Sequence, residues 1–211
     1  MSWSEEQIAT QFASRSAGKE QENGTNLLYE TYDYIIDQKD VIVAVSKNWR
    51  SFADRNLGGS ACLPERIIGS SLWDHICDGE TKHLYEMILH KVREHSRQAK
   101  FPFRCDSPSE RRFLKLSVIP IKDGSVHFKS EIIKTESREP VELLRGDVQR
   151  SEKLIRICSM CKKIAVSETE WQEVEVAVET MGLFQKRVLP KFTHGICQCC
   201  FDMAIAELDG L

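Results

Sequence analysis

Two cysteine pairs near the C-terminal end of the sequence have the spacing of a metal site. Each pair follows the pattern C-x-x-C, once within "ICSMCKK" and once within "HGICQCC". A two-residue spacer lets both thiolates of a pair face one ion, and Zn²⁺ in structural sites takes four such ligands tetrahedrally, at about 2.3 Å each. The sequence therefore predicts a structural zinc site formed by Cys158, Cys161, Cys197 and Cys200.

Two further residues beside the second pair bear on this site. Cys199 has the wrong phase for the tight turn of a C-x-x-C pair, but it is a potential substitute ligand and raises a redox role. His194 precedes Cys197 by three residues and could replace a cysteine. The pattern favours a supporting role for His194, in which it positions the loop or hydrogen-bonds a thiolate, as groups around metal ligands do.

The elements that must position the cysteines can be predicted from the same stretch. "KLIRIC" predicts a strand that leads to the first pair, and "IAVSETEWQEVEV" predicts a hairpin or a strand followed by a short helix. "CQCCFDMAIAEL" predicts a helix that begins at the second pair, where unpaired N–H groups and the helix dipole favour thiolates. This order indicates a small treble-clef-like unit, and metal binding would supply much of its folding free energy.

Length, composition and charge set the wider limits. The chain has 211 residues, of which 41% are hydrophobic and 29% charged, which is typical of a soluble globular protein with one ordinary domain and a small one. The net charge of -3 provides no basic surface for nucleic acid. The start "MSWSEEQIAT" does not resemble a signal peptide, and no apolar run has the ~18 residues needed to cross a bilayer. We therefore expect a cytoplasmic protein without a membrane partner.

A cytoplasmic location would affect the chemical state of the cysteines. Thiols stay reduced in the cytoplasm, so paired cysteines there indicate a metal or catalytic site rather than a disulfide framework. Three cysteines stand alone in the sequence, at Cys62, Cys77 and Cys105. Isolated cysteines are typically small buried hydrophobic residues, and we expect this of all three.

The pattern upstream of the cysteines predicts an α+β fold. "YDYIID" and "VIVAVS" indicate a strand hairpin, and "KNWRSFADRN" and "LPERIIGSSLWDHI" indicate short helices. The longest predicted helix is "DGETKHLYEMILHKVREHS", and its buried stripe contains Leu84, Ile88 and Val92. Three more strands follow in "AKFPFRCD", "RRFLKLSVIPI" and "SVHFKSEIIK". Two strands, several helices and three strands exclude a regular βαβ repeat and favour an antiparallel sheet, with a pocket between helices and sheet.

Three stretches upstream of the cysteines resemble a known protein family. The stretches "YDYIIDQKDVIVAVSKNWRSFA", "IIGSSLWDHI" and "FPFRCDSPSERRFLKLSVIPIKDGSVHFKS" resemble a PAS sensory domain. The resemblance implies a five-stranded antiparallel sheet of strand order 2-1-5-4-3, with flanking helices around a ligand cavity. We divide the chain into a flexible leader at 1–28, a PAS-like domain at 29–135, a charged connector at 136–153 and a cysteine-rich zinc module at 154–211. Pro140 and Gly146 argue against one unbroken helix in the connector.

A second resemblance covers the C-terminal end. "ICSMCKKI", "WQEVEV" and "FTHGICQCC" resemble the cysteine-bearing tail that follows PAS or similar sensor domains in bacterial signalling proteins. The sequence departs from that pattern at Gln198 and Cys199, where the tail has proline and usually an acidic residue. These departures leave both cysteine pairs intact.

Together these features predict a bacterial signal-sensing protein that is not an enzyme. It would act through contact with a protein partner, and the resemblance allows a homodimer. One alternative is a thiol redox sensor or oxidoreductase that uses the C-x-x-C pairs, although no thioredoxin-like βαβ unit surrounds "CSMC". A second is a zinc-ribbon DNA-binding regulator, which the acidic balance of the module disfavours.

The sequence does not identify a ligand for the PAS-like pocket. Haem would need an axial ligand, and His83 and His90 lie in the longest helix, but outside its predicted buried stripe. We therefore expect both histidines at the border of the core or in solvent, and disfavour haem. The cysteine motif of photoreactive flavin domains is not matched by "NLGGSACL" or "SLWDHIC".

Overall fold

A computed structural model describes residues 31–55 and 62–211. The expected leader at 1–28 lies outside the described residues. The first part of the described chain contains five helical segments and five strands. They are, in order, β1 (Thr31–Ile36), β2 (Ile42–Val45), α1 (Trp49–Arg55), α2 (Pro64–Ile67), a 3₁₀ turn (Leu72–His75), α3 (Gly79–His95), β3 (Ala99–Arg104), β4 (Glu110–Pro120), a second 3₁₀ turn (Lys122–Gly124) and β5 (Val126–Ser137).

The five strands form one antiparallel sheet in the order β2-β1-β5-β4-β3. This is the order expected above, and it places the first strand in the interior of the sheet beside the last. Tyr34 of β1 pairs with Val45 of β2 on one side and with Phe128 of β5 on the other. Phe128 in turn pairs with Val118 of β4. The predicted α+β class with a five-stranded antiparallel sheet is confirmed.

Helix α3 crosses the sheet and buries the stripe that its sequence predicts. Its N-cap is Asp78, whose Oδ1 accepts the N–H of Thr81 over 2.7 Å, and its C-cap is Ser96 in the left-handed region at φ 51°. The predicted apolar stripe is buried, together with one further leucine: Leu84, Ile88, Leu89 and Val92. Amphipathic spacing therefore fixes which side of α3 faces the sheet.

The C-terminal part forms a second, smaller sheet followed by a helix. Its elements are β6 (Arg150–Cys158), β7 (Ile164–Ala165), β8 (Trp171–Gln172), α4 (Val174–Thr180), a 3₁₀ turn (Leu183–Gln185), β9 (Leu189–Gly195) and α5 (Gln198–Asp209). The sheet has the order β8-β7-β6-β9, and β6 runs parallel to β9. The strand before the first cysteine pair, the hairpin with its short helix and the helix at the second pair were all predicted. The parallel pairing of β6 with β9 was not.

The segment between the two sheets is shorter than the expected connector at 136–153. Strand β5 continues to Ser137 and β6 starts at Arg150, because both ends of the segment find strand partners. The remainder contains a single 3₁₀ turn, Glu142–Leu144, rather than a long helix. Val141 and Leu143 are buried there, against residues of the second sheet.

The two parts of the chain share one buried core. Leu84 and Ile88 of α3 and Phe128 of β5 belong to the same apolar cluster as residues from both cysteine turns and α5: Cys158, Met160, Ile196, Cys197, Cys200, Ala204 and Leu208. The second sheet and α4 enclose another cluster around Ile157 and Ile164. Among the described helices, none is long and apolar enough to cross a membrane.

The C-terminal part also covers the outer edge of the first sheet, which is strand β3. The N–H of Lys100 donates to Oε1 of Glu207 in α5 over 2.7 Å. The N–H of Arg104 donates to the carbonyl of Met160 over 2.8 Å. Pro102, between them, has no N–H to offer. On the side of β3 that faces away from β4, the backbone N–H groups of Lys100 and Arg104 are therefore both bonded to the C-terminal part.

Candidate metal centre

The structure brings the four predicted cysteines into one cluster. Their sulfur atoms all lie within 4.8 Å of one another, and we call this cluster the four-cysteine centre: Cys158, Cys161, Cys197 and Cys200. Cys158 is the last residue of β6, and Cys161 lies in the turn that follows. Cys197 is the N-cap of α5, and Cys200 lies in its first turn. The parallel pairing of Cys158 with Gly195 brings the two halves together.

The first cysteine pair is held in a tight turn by its backbone. The N–H of Cys158 donates to the carbonyl of Lys163 over 2.8 Å, and the N–H of Lys162 donates back to the carbonyl of Cys158 over 3.1 Å. Lys162 takes a left-handed conformation at φ 63°, which costs a non-glycine residue about 1 kcal/mol and lets the chain reverse after Cys161. The turn points both thiols of the pair to the same side.

The second pair is fixed by contacts with the first. The N–H of Ser159 donates to the carbonyl of Gly195 over 2.8 Å, and the N–H of Cys197 donates to the Cys158 sulfur over 3.4 Å. Two side chains approach the backbone closely at Gly195. A Cβ there would lie 2.9 Å from Oε2 of Glu80 and 3.0 Å from Nε of Arg156. The glycine of "HGIC" therefore lets the loop pack against α3.

The dimensions and chemistry of the cluster fit a tetrahedral metal ion. With metal–sulfur bonds of about 2.3 Å, the edge of a sulfur tetrahedron is about 3.8 Å. The sulfurs of Cys161 and Cys197 lie 3.7 Å apart. Cys158, Cys197 and Cys200 are buried and Cys161 is half-buried, so an ion held there would be closed off from water. The four-cysteine centre could thus hold a metal ion in a closed shell.

The thiols strongly influence one another's protonation. Hydrogen bonds from the thiols of Cys161 and Cys200 lower the pKa of Cys158 far below its usual value. The same contact with Cys158 raises the pKa of Cys161 to about 12, and that of Cys200 rises further because of Cys158, Cys161 and burial. Without a cation the cluster therefore favours one thiolate stabilised by neutral neighbours, whereas a divalent metal ion compensates several negative charges.

Two further residues, His194 and Cys199, were considered above as metal ligands. His194 and Cys199 are both exposed and lie outside the four-cysteine centre. Partial burial lowers the pKa of His194, the charge of Lys162 lowers it further, and Asp78 opposes this shift. His194 lies beside a cavity described below, at the end where the loop meets α3.

The expectation for the three isolated cysteines was largely wrong. Cys62 and Cys77 are exposed, and Cys105 is half-buried. Cys77 lies in the short segment between a 3₁₀ turn and α3, where the chain runs over the surface rather than through the core. Composition alone did not distinguish such connecting positions from buried ones.

A cavity of about 380 Å³ lies between the sheet and the helices of the first part. Its walls are mainly apolar and aromatic, with Tyr34, Trp49, Leu72 and Tyr85 among them. Burial raises the pKa of Tyr85 to about 12 and that of Tyr34 well above its usual value, so both phenols stay neutral. Ser159, from the first cysteine pair, also lines this cavity.

The histidines considered as haem ligands do not line the cavity. The side chain of His83 is 68% exposed and that of His90 is 74% exposed. They lie 4.0 Å from Glu86 and 3.6 Å from Glu94, respectively, on the solvent side of α3. Their expected position outside the buried stripe is confirmed.

The start of α3 makes direct contact with both cysteine turns. Oγ1 of Thr81 donates to Oγ of Ser159 over 2.9 Å, and the N–H of Ile196 donates to Oε2 of Glu80 over 3.0 Å. Arg156 of β6 lies 3.7 Å from the other oxygen of Glu80 and packs over the ring of Trp171 at 5.0 Å. The four-cysteine centre is therefore joined by side chains to the helix that walls the cavity.

A buried group of ion pairs, which sequence analysis missed, joins the two sheets. Arg104 at the end of β3 donates to Asp106 and, over 2.7 Å, to Glu173 beside α4. Arg138 contacts Asp106 at 3.2 Å and Glu175 at 3.0 Å. Burial disfavours the charge of Arg104, but both carboxylates outweigh this and raise its pKa. Apart from Arg104 and Asp106, the partners lie at least 32 residues apart in the sequence, and no local spacing indicates them.

No comparison with known proteins shows the family of this chain. No protein-family model and no curated protein matches the chain. Among solved structures, a domain of an HTR-like protein from Haloarcula marismortui ATCC 43049 is similar to part of it, with 17% sequence identity and a TM-score of 0.36. The similar region covers 49% of this chain and 98% of that domain.

Proposed function

We propose that this chain is a bacterial signal-sensing protein in which a PAS-type sensor domain is joined to a structural zinc module. It acts through contact with a protein partner or a second copy of itself, not through catalysis. The observation that carries this proposal is the position of the four-cysteine centre. Its thiols belong to the same buried cluster as α3, the helix that walls the cavity.

The four sulfur donors favour zinc. Four thiols from two C-x-x-C turns, within 4.8 Å of one another and mostly buried, match the closed shell of structural zinc sites. A closed shell leaves no open position for substrate, which favours a structural role over a catalytic one. The flanking strand, hairpin and C-terminal helix are consistent with a treble-clef-like module.

The strand order and the cavity favour a PAS-type sensor. The order β2-β1-β5-β4-β3, with helices inserted between the second and third strands, is the arrangement that the sequence resemblance implies. A mainly apolar cavity with a few polar groups at one end is typical of a site for a small molecule. Ligand binding would change which of two states is populated and hence which surface meets the partner.

The proposed compartment is the cytoplasm, where thiols remain reduced and available to a metal ion. The described residues contain no helix that could span a membrane, and the chain carries a net charge of -3. The proposed partner is a protein surface.

Elemental analysis tests the proposal directly. Protein would be purified without added metal and without a nickel column, and zinc and iron would be measured per chain. We expect about one zinc and no iron. Cys197→Ser should lose the zinc because it removes a buried ligand. Cys199→Ser is the matched control and should retain it, since Cys199 lies outside the cluster.

Other results of the metal analysis would indicate a different function. Iron in place of zinc would indicate an iron–sulfur or haem sensor. Absence of both metals would overturn the zinc module and favour a thiol redox protein, for which the 3.7 Å separation of Cys161 and Cys197 sulfurs offers a starting point. Equal loss of zinc in both variants would assign Cys199 to the site.

A further inference from the structure

The cavity is not enclosed by the first part of the chain alone. Tyr34, Trp49 and Tyr85 supply much of its apolar wall, but Ser159 and His194 line it from the C-terminal part. Ser159 is a spacer residue of the first C-x-x-C pair, next to Cys158. Its N–H donates to the carbonyl of Gly195, which follows His194 directly. The residues that hold the metal turns therefore also form one end of the cavity.

That end carries the main group of polar side chains. Oγ1 of Thr81 donates to Oγ of Ser159 over 2.9 Å, while Oδ1 of Asp78 accepts the N–H of Thr81 over 2.7 Å. Asp78 is also close enough to His194 to affect its protonation. A hydroxyl, a carboxylate and an imidazole thus meet beside an aromatic chamber. The matching ligand is a small molecule with an apolar aromatic body and a hydrogen-bonding group at one end.

We propose that the cavity is a composite binding site, completed by the cysteine turns, and that its affinity for such a ligand is linked to metal occupancy of the four-cysteine centre. The inference rests on the proposed function and adds a means of regulation. A metal ion fixes the first C-x-x-C turn and, with it, the position of Ser159. Because linkage is reciprocal, ligand in the cavity must strengthen metal binding by the same factor.

The contacts indicate how the linkage is transmitted. Two hydrogen bonds connect the turns to α3, one from Thr81 to Ser159 and one from Ile196 to Glu80. Both involve residues in the first turn of α3, and Thr81 of that turn and the N-cap Asp78 line the cavity. No rearrangement of the sheet is required, because the polar end of the cavity and the metal turns are in direct contact.

The first test uses the probe 1-aminoanthracene, a neutral fused aromatic amine whose fluorescence rises in apolar surroundings. Its Kd is measured on the zinc-loaded full chain, as wild type, Ser159→Ala and Ser167→Ala. The matched control Ser167→Ala removes a hydroxyl from the turn between β7 and β8, away from the cavity. We expect Ser159→Ala to weaken probe binding at least about fivefold and Ser167→Ala to leave it unchanged.

The second test measures reciprocity. The zinc Kd of the wild type is determined by competition with a chelator, with and without saturating probe, and should fall at least about fivefold when the probe is present. In Ser159→Ala this factor should shrink to less than half of its wild-type size. If the probe merely bound folded protein and zinc merely favoured folding, the factor would persist in Ser159→Ala, which would overturn direct transmission.

The remaining outcomes separate this inference from the function on which it rests. Zinc at one equivalent, with a zinc Kd that the probe does not change, would overturn the linkage and leave the zinc module intact. Failure of the probe to bind the zinc-loaded protein would overturn the composite site. Failure to take up zinc at all would overturn both proposals.

Discussion

The backbone N–H of Ile196 donates to Oε2 of Glu80 over 3.0 Å, and this bond ties the loop that carries Cys197 to the start of α3. The residues are far apart in the sequence, and each belongs to a different sheet-and-helix unit. Gly195 permits the contact, because its missing side chain leaves room for Glu80 and Arg156. The part of the chain with the five-stranded sheet and the cysteine-bearing part therefore meet at a specific, hydrogen-bonded position.

Gly195→Ala should destabilise the protein. Its Cβ would lie 2.9 Å from Oε2 of Glu80, so the carboxylate must shift and its bond to Ile196 is weakened, at a cost of up to about 1 kcal/mol. Urea unfolding measures the loss. The matched control is Gly79→Ala, at the first position of α3, where a Cβ meets nothing within 4 Å. That variant should be neutral or slightly stabilising; equal losses in both would contradict the contact.

Arg104→Ala should cost about 1–3 kcal/mol of unfolding free energy, because it leaves a buried carboxylate with only one of its two cations. The Asp106 side chain is only 2% exposed and would keep Arg138 alone, at 3.2 Å. Chemical denaturation provides the measurement. Arg145→Ala breaks ion pairs with Glu142 and Asp147 at the surface and should leave the midpoint unchanged. A loss below 1 kcal/mol for Arg104→Ala would show that the buried pairs contribute little.

Removal of the metal should weaken the whole chain and not the C-terminal part alone. Cys158, Cys197 and Cys200 share a buried cluster with α3 and the five-stranded sheet, so loosening them exposes the core of both parts. At free zinc 100-fold above its Kd, bound metal contributes about 2.7 kcal/mol. The measurement is hydrogen exchange of the α3 and α5 amides, with and without chelator, and we expect the chelator to reduce protection in both helices. Unchanged protection in α3 would instead indicate a module that unfolds independently.

Glu207→Ala should expose a single backbone amide at the sheet edge. Oε1 of Glu207 accepts the N–H of Lys100 over 2.7 Å, and its removal leaves that donor to water. We expect exchange of the Lys100 amide to accelerate at least about tenfold in an NMR measurement, the effect of losing about 1.4 kcal/mol of local protection. Asp202→Ala on the same helix removes only a bond to the exposed Gln198 and serves as control. Equal rates in both variants would rule out a protective role for Glu207.

Much of the local structure could be predicted because it depends on spacing between near neighbours. Leu84, Ile88 and Val92 recur at helical intervals, and all three are buried as this spacing requires. The two-residue spacers of the cysteine pairs likewise predict paired thiols, and the four sulfurs do lie together. Hydrophobic alternation and turn residues placed the strands within a few residues of their observed bounds.

The contacts that join the two parts could not be predicted, because they connect residues that are distant in the sequence. The parallel alignment of Ile157 with His194, the bond from Thr81 to Ser159 and the pairing of Arg104 with Glu173 depend on how finished elements pack. The exposure of Cys77 was mispredicted for the same reason, since burial is set by the neighbours that tertiary structure supplies.

The cover that α5 and the first cysteine turn place over β3 has a consequence for solubility. A β-edge with free donors is a template for strands of other molecules, and β3 adds an apolar face that includes Phe101. As long as Glu207 and Met160 occupy its two donors, no foreign strand can pair there. A chain stripped of its metal, or truncated before β6, would expose this edge and become prone to aggregation.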